Sequence, residues 1–524
     1  MSLATSIVIA LIMALLLTEN LGYGHIQISR PVFAGPIIGL LMGDLRTGLI
    51  VGGTVELMFM GVFPVGGSGP PNAQFAGMMS TVLAIASGGN AEVGVTLAFP
   101  IGVFAQFILL LDYNKNLFIA HRADKKIMDG NVDAVKTHQM LCLICMFGCW
   151  ALSSFLGIYL GSAWVERLYN ILPEFIRTGL SVAGGIMPAM GMAMLLKMMN
   201  LKRYWCFLAI GYVMTAYLEM NVISIAIFSI GVAVAIYTLG KEEESQEIGG
   251  EIKEDSSQRI LTKQDLKSIY RRSYFTGACL NYERYLGLGY CYAILPALKK
   301  LYKGEDLKEA TIRNTEFYNS HPFMHNVIMG VTIALEEQRA LGAPIEAQSI
   351  SATKAALMGP TAGFGDSFFK GVVVTITGAF AAALAIEGNP IAPLVFIIPN
   401  LIVCILVRYY GTMMGYKFGT KFILKMKNSN IIQKFVEGST IVGMMVTAGL
   451  ITNYVKVNLS PVFKFAEKEI VLNDVINSVI PKLLPYCTVF LFYYIIKKYP
   501  KNGLYITLAL SFAMGIFGVL LNIL

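Results

Sequence analysis

Apolar runs long enough to cross a lipid bilayer recur along this 524-residue chain and constrain it more than any other feature. SLATSIVIALIMALLLT near the start and NGLYITLALSFAMGIFGVLLNIL at the end are two of them. About 18 or more apolar residues in a row read as a membrane span. With 55% hydrophobic and 14% charged residues and a mean hydropathy of +0.62, an all-α, polytopic membrane protein is expected. A membrane β-barrel would show short alternating strands instead. No Lys or Arg precedes the first apolar run, so it is expected to be a span rather than a cleaved leader. The net charge of +8 sits in a few loops, as the positive-inside rule expects of cytoplasmic segments, and is no nucleic-acid signature. Cys142, Cys145 and Cys149 in LCLICMFGCW read as small packing residues. The motif itself holds no His, so neither a metal site nor a disulfide framework is expected.

One break in composition divides the chain. The stretch from Leu239 to Ser273 is dense in charge and carries a Gly pair, which reads as a solvated linker over 241–261 between modules 1–240 and 262–524. Lys263, Lys267, Arg271 and Arg272 place it in the cytoplasm. The first module is interrupted by DYNKNLFIAHRADKKIMDGNVDAVKTHQ, expected to be a basic cytoplasmic loop. In the second module, residues 262–365 are too polar to face lipid and too apolar for a free soluble domain. Burial in protein within the membrane is the physical solution, because irregular or polar segments are tolerated at depth only there or beside a wet cavity. Long apolar spans follow at 371–386, 391–407, 437–452, 482–496 and 502–524, with 456–478 as an external excursion and KKYPK on the cytoplasmic side.

Polar groups set in this apolar context are the candidate site. VGGTVELMFMGVFPVGGSGPPNAQFAG, Val51–Gly77, carries Glu56, and a carboxylate at bilayer depth costs about 2.5–3.5 kcal/mol. Gly66, Gly67, Gly69, Pro70 and Pro71 forbid a continuous helix and predict a re-entrant loop or hairpin tip. Its open backbone groups, with Glu56, Asn72 and Gln74, suit a neutral polyhydroxyl ligand; the other reading is a structural Glu56 paired to a buried Arg. In HIQISRP, Gln27 or Arg30 reaches the same cavity and His25 is an interfacial anchor. GACLNYERYLGLG sets Asn281, Glu283 and Arg284 beside Tyr282, a mixture of aromatic faces and hydrogen-bonding groups that suits sugars. Glu283 and Arg284 read equally well as half of a salt bridge.

NSHPFMHN spaces His321 and His325 by four, but Pro322 and the lack of an HExxH glutamate argue against a metal, so His321 is read as a pocket member. Of Glu336 and Glu337, at most one faces a pocket, because adjacent helix residues point apart. MGPTAGFGDSFFKG frames Asp366 with Gly and Pro and lacks a Walker A lysine. Both modules therefore bring an acid on an interrupted segment, which predicts a shared midplane site and structural pseudo-symmetry.

Residues 1–240, through RPVFAGPIIGLLMGDLRTGLIVGGTVELMFMGVFPVGGSGPPNAQFAG, resemble the IIC membrane component of mannose-type (mannose/fructose/sorbose) sugar phosphotransferase systems. Residues from about 262 onward resemble the partner IID component through GACLNYERYLGLGYCYAILPALKKLY, YNSHPFMHNVIMGVTIALEEQRALGAPI and LMGPTAGFGDSFFKG. The resemblance implies a IIC–IID fusion in a bacterial cytoplasmic membrane, bounded by lipid, trimeric, with a scaffold and a core that moves as an elevator. It implies uptake of a hexose or amino sugar, phosphorylated by cytoplasmic IIB that IIA charges. The chain would need no cofactor or metal and would not be catalytic alone. Gln27, Glu56, Asn72, Asn281, Glu283, His321 and Asp366 are then the expected sugar contacts, and Asp366 or Glu56 the candidate acceptor of the sugar hydroxyl proton. Three positions depart from the family pattern: Asn72 for a frequent Asp, Lys370 for an aromatic, and Val374 for an Arg. The alternatives are an ion-coupled secondary transporter of a small polar solute, whose acids carry protons or Na⁺, and a receptor or scaffold without transport.

Overall fold

The computed structural model describes residues 2–60, 62, 70–171, 173–199, 201–239, 259–418, 430–465, 468–500 and 502–523. The expected hairpin tip with Gly66, Gly67 and Gly69, and linker positions 241–258, lie outside the described residues.

The chain is mostly helical. The first helix, Leu3–Glu19, is capped by Ser2, whose hydroxyl accepts the Thr5 N–H at 3.1 Å. It packs on Ala134–Ile171. The short helices Pro31–Leu41 and Leu45–Met58 form a tight antiparallel pair. The glycines of RPVFAGPIIGLLMGDLRTGLIVGG explain the closeness: a Cβ at Gly48 would lie 2.7 Å from the Gly35 carbonyl oxygen. Small residues four apart let helix backbones approach where lipid supplies no hydrophobic drive.

Ala91–Met128 and Ala134–Ile171 each run 38 residues, about 57 Å at 1.5 Å per residue, against a hydrocarbon core of about 30 Å. The basic stretch from Asp112 to Gln139 is therefore helical on both sides of a short turn, which corrects the expected loop. Asp112, Asn116, Ile119, Ala120, Ala123 and Ile127 form its buried stripe at helical spacing, while its bases point outward and Lys125 and Lys126 complement the helix C-terminus.

Packing mixes the two sequence halves. One core joins Val51, Val55, Leu57–Met60 and Val62 and the segments around 183–233 to Ala379, Ala382, Ile441–Val457 and Tyr486–Ile496. Glu174–Ile186 packs on Gly503–Leu520, and Leu201–Ala216 and Val222–Leu239 pack on Asn430–Tyr454. A second junction sets Leu45–Met58 on Thr375–Ile386 and Pro31–Leu41 on Ala392–Phe418.

The mixed polarity of 262–365 resolves into buried networks. Glu336 accepts hydrogen bonds from Arg313 Nε at 2.9 Å, Asn314 Nδ2 at 2.8 Å and Tyr302 OH at 2.9 Å. Glu337 accepts the N–H groups of Ile260 and Leu261, both at 2.7 Å, pinning the chain just ahead of Lys263–Arg272. Both acids are structural, and neither lines the cavity described below.

MGPTAGFGDSFFKG does not break the chain. Ala347–Gly365 passes through a π-helical segment, Asp366–Val374, into Thr375–Ile386. Where a break was expected, the structure has a change of helical pitch instead. A widened π turn absorbs local misfit within a continuous helix, and Gly359 and Gly363 face open space, so neither marks a tight bend. Among the described residues five helices are long and apolar enough to cross a membrane, or six if Leu472–Val479 and Leu483–Lys498, which meet at 84°, count as one broken span. Among the described residues the exception to helix is an antiparallel ribbon after Tyr454, pairing Val462–Phe465 with Lys468–Val471.

Candidate functional site

Glu19, fully buried at the end of the first helix, organises the loop that follows. Its Oε1 accepts the N–H groups of Ile26 and, at 3.0 Å, Gln27; its Oε2 accepts that of Ser29 at 3.3 Å. The loop contains His25 at φ 55° and Gln27 at φ 75°, left-handed conformations that non-glycine residues adopt at a cost. The second half braces the same loop. The Gly24 N–H donates to the Tyr274 carbonyl at 2.9 Å, and a Cβ at Gly277 would lie 2.1 Å from the Leu21 carbonyl oxygen.

Arg30 ends this loop and reaches Glu56, which is 1% exposed. Arg30 Nε donates to Glu56 Oε1 at 3.0 Å, a second guanidinium nitrogen contacts the same oxygen, and the Val32 N–H donates to Oε2 at 3.4 Å. Glu56 therefore is the paired structural acid, and it also faces a hollow. Asn72 spends its Oδ1 on the N–H of Phe75, 2.9 Å away, capping Ala73–Ala86. Asn281 accepts the N–H groups of Glu283 and Arg284 at 3.2 and 3.0 Å and donates to the Cys279 carbonyl at 3.0 Å, so it shapes a turn. Asp366 pairs with Lys370 one turn on, at 3.0 Å.

Gln27, Glu56, Asn72, Asn281 and Asp366 line one cavity of about 450 Å³, with walls from both sequence halves. Two expected contacts do not. Glu283 is exposed and bonds His121 Nε2 at 2.7 Å. His321 is buried behind the wall, stacked on Phe369, with Nδ1 accepting the Phe323 N–H; His325, four residues on, lines the cavity instead. Gln27, Gln74, Gln106 and Asn319 also line it, and their side-chain amides make no hydrogen bond among the described residues. Tyr282 and Phe317 supply exposed rings at its edge. Arg408, 1% exposed, closes one side. Among the described residues no group of three or more His, Cys, Asp or Glu side chains is placed to hold a metal.

The family profile described as "PTS system mannose/fructose/sorbose family IID component" matches residues 260–524, and that of the "PTS system sorbose-specific iic component" matches residues 3–237. The chain belongs to the mannose/fructose/sorbose family of phosphotransferase-system membrane components. It is 35% identical over 271 residues to the mannose-specific EIID component of Escherichia coli K12, covering 50% of this chain and 95% of the relative. It is 35% identical over 268 residues to the fructose permease IID component of Bacillus subtilis, covering 50% and 96%. The first half is 32% identical over 206 residues to N-acetylgalactosamine permease IIC component 1 of E. coli K12, covering 39% and 77%. Family membership and the apolar helices make this a multi-pass protein of the inner membrane.

The cavity thus lies where the IIC-matching and IID-matching halves meet. Two of its members were legible in principle and missed. Gln106 is a lone amide in the apolar AFPIGVFAQFILLL, and Arg408 stands one residue past a span drawn to 407. A polar or charged group at such depth is itself a functional signal.

Outside the cavity, polar pairs tie the halves together: Arg284 to Asp124 at 2.7 Å, Lys299 to Asp133 at 2.6 Å, and Glu283 to His121. The His121 hydrogen bond holds the Glu283 carboxyl below the usual carboxylate range, and Arg284 adds to this. A depressed carboxylate stabilises the fold above its unfolded value, about 4.3, and loses that contribution as pH falls through the folded value. Wild type is expected to melt slightly above Glu283→Gln at neutral pH, and the two melting temperatures in detergent should converge below about pH 4. A gap that persists in acid would mean that Glu283 acts through something other than its charge.

Proposed function

We propose that this chain is the membrane component through which a hexose or amino sugar enters by group translocation, leaving the cavity as a phosphate ester. The phosphoryl group comes from cytoplasmic IIB, charged in turn by IIA. In this reading residues 1–240 and 262–524 are the IIC and IID modules and 241–261 a cytoplasmic linker. The observation that carries the reading is the set of open amides, Gln27, Gln74, Gln106 and Asn319, around a cavity of about 450 Å³ whose two acids are each already paired. Each amide both donates and accepts, as a hydroxyl does. Exposed rings at the rim suit the C–H faces of a sugar.

Of the two acids, Asp366 is the better placed to take the hydroxyl proton. It is part-exposed and held by one flexible lysine, whereas Glu56 is buried under a guanidinium. Glu56 then positions the wall. Asn72 and Asn281 act as shape-setting members, since their oxygens already accept backbone N–H groups. The family implies a trimer and an elevator motion of one helical body against another.

Vesicles loaded with phosphorylated IIB and given radiolabelled hexoses and amino sugars, with no ion gradient, test this. Phosphorylated sugar should accumulate inside and depend on IIB. Unmodified sugar that accumulates only with a proton or Na⁺ gradient would replace this reading with the ion-coupled one.

A further inference from the structure

The charges lining the cavity do not balance. Glu56 has Arg30 and Asp366 has Lys370, which leaves Arg408 over. Among the described residues Arg408 meets no carboxylate. One of its terminal nitrogens donates to the Ser273 carbonyl at 3.4 Å, and its buried Nε has no partner. The guanidinium stands 4.4 Å from the centre of the Tyr274 ring and 5.6 Å from that of Phe323. Ring faces recover only part of what a buried cation loses in leaving water.

The surroundings add donors and one acid, Glu19, whose carboxyl oxygens are already engaged by the N–H groups of Ile26, Gln27 and Ser29. His25 and His321 both pack on Phe323, and His25 Nε2 is buried without a partner. Lys370 and Arg408 lie close enough to His25, His321 and His325 for both charges to act on all three rings. Among the described residues Lys370 is held only by the part-exposed Asp366. A cation fixed at depth with an unpartnered nitrogen, near a second cation on a loose tether, is half of an ion pair.

We propose that Lys370 and Arg408 form an anion subsite at one end of the cavity, which takes a carboxylate or phosphate carried by a sugar. This rests on the sugar-path reading and adds to it a substrate class: an acidic sugar on entry, or the phosphate ester on exit. The planar guanidinium suits either oxyanion.

The full chain in lipid nanodiscs is the material for the test. Binding is measured for matched glucose and mannose sets (neutral sugar, uronate and 6-phosphate) and for inorganic phosphate. At least one sugar anion should bind about ten-fold or more tightly than its neutral parent. That ratio should fall to about one in Lys370→Gln and in Arg408→Gln and persist in Arg408→Lys. Preference for the uronate identifies an acidic substrate, and preference for the 6-phosphate identifies the product. If Arg408→Gln does not fold, Lys370→Gln decides. A wild-type ratio near one overturns this proposal while leaving the sugar path standing. A ratio unchanged in both Gln variants, or inorganic phosphate bound in preference to every sugar anion, overturns it as well. Failure to bind any sugar overturns both readings.

Discussion

Arg30→Ala should be among the most damaging single substitutions in the protein. It leaves Glu56, 1% exposed, with only the 3.4 Å contact to the Val32 N–H. Removing one partner of a buried ion pair costs about 3–5 kcal/mol, because the other charge stays out of water uncompensated. Replacing both partners with apolar residues of similar size is often neutral or stabilising. Arg30→Met with Glu56→Leu should therefore recover most of the thermal stability lost in Arg30→Ala. It should not recover uptake, because the polar wall of the cavity is gone. Melting in detergent and sugar uptake, read side by side, separate the pair's contribution to folding from its contribution to the site. Normal melting of Arg30→Ala would mean that Glu56 is neutral or hydrated in the folded protein, and the account of the wall would be wrong.

Glu56 also shows what a sequence makes legible in a membrane protein. A carboxylate at depth must be answered by a partner or a cavity, and here it has both. The same logic holds for Arg408, which stands one residue beyond the apolar stretch 391–407 and lines the other end of the cavity. What residue type cannot reveal is how an amide spends its hydrogen bonds. Asn72 and Asn281 look like ligand contacts in sequence, yet each is occupied with backbone N–H groups, while Gln106, in an otherwise apolar run, keeps its amide open. Gly and Pro were equally ambiguous. In Pro31–Leu41 and Leu45–Met58 the glycines bring two helices together, whereas around Asp366 they accompany a continuous helix with a π segment. Helix pairing between the halves was not readable at all, since it depends on contacts between residues hundreds of positions apart, such as Gly179 against Ile516.

Glu19→Ala should abolish uptake although Glu19 does not line the cavity. Its carboxyl group accepts three backbone N–H groups, from Ile26, Gln27 and Ser29, and a net hydrogen bond contributes about 0.5–1.5 kcal/mol. Those bonds hold His25 and Gln27 at positive φ, where a non-glycine residue is strained by about 1–3 kcal/mol. Without the acceptor the loop is free to relax to negative φ, and Gln27 then leaves the wall. Stability should drop by several kcal/mol at most, since the N–H groups can find water once the loop opens. Uptake should fall more than ten-fold, because a misplaced contact is worth more to the site than to the fold. Glu19→Gln gives the graded result. Its carbonyl oxygen can keep the two bonds now made by Oε1, while its NH₂ group would face the Ser29 N–H, donor against donor. An uptake rate between those of wild type and Glu19→Ala is the expected outcome. If Glu19→Ala transports within two-fold of wild type, the loop does not need its acid, and the position of Gln27 is not what sets the cavity wall.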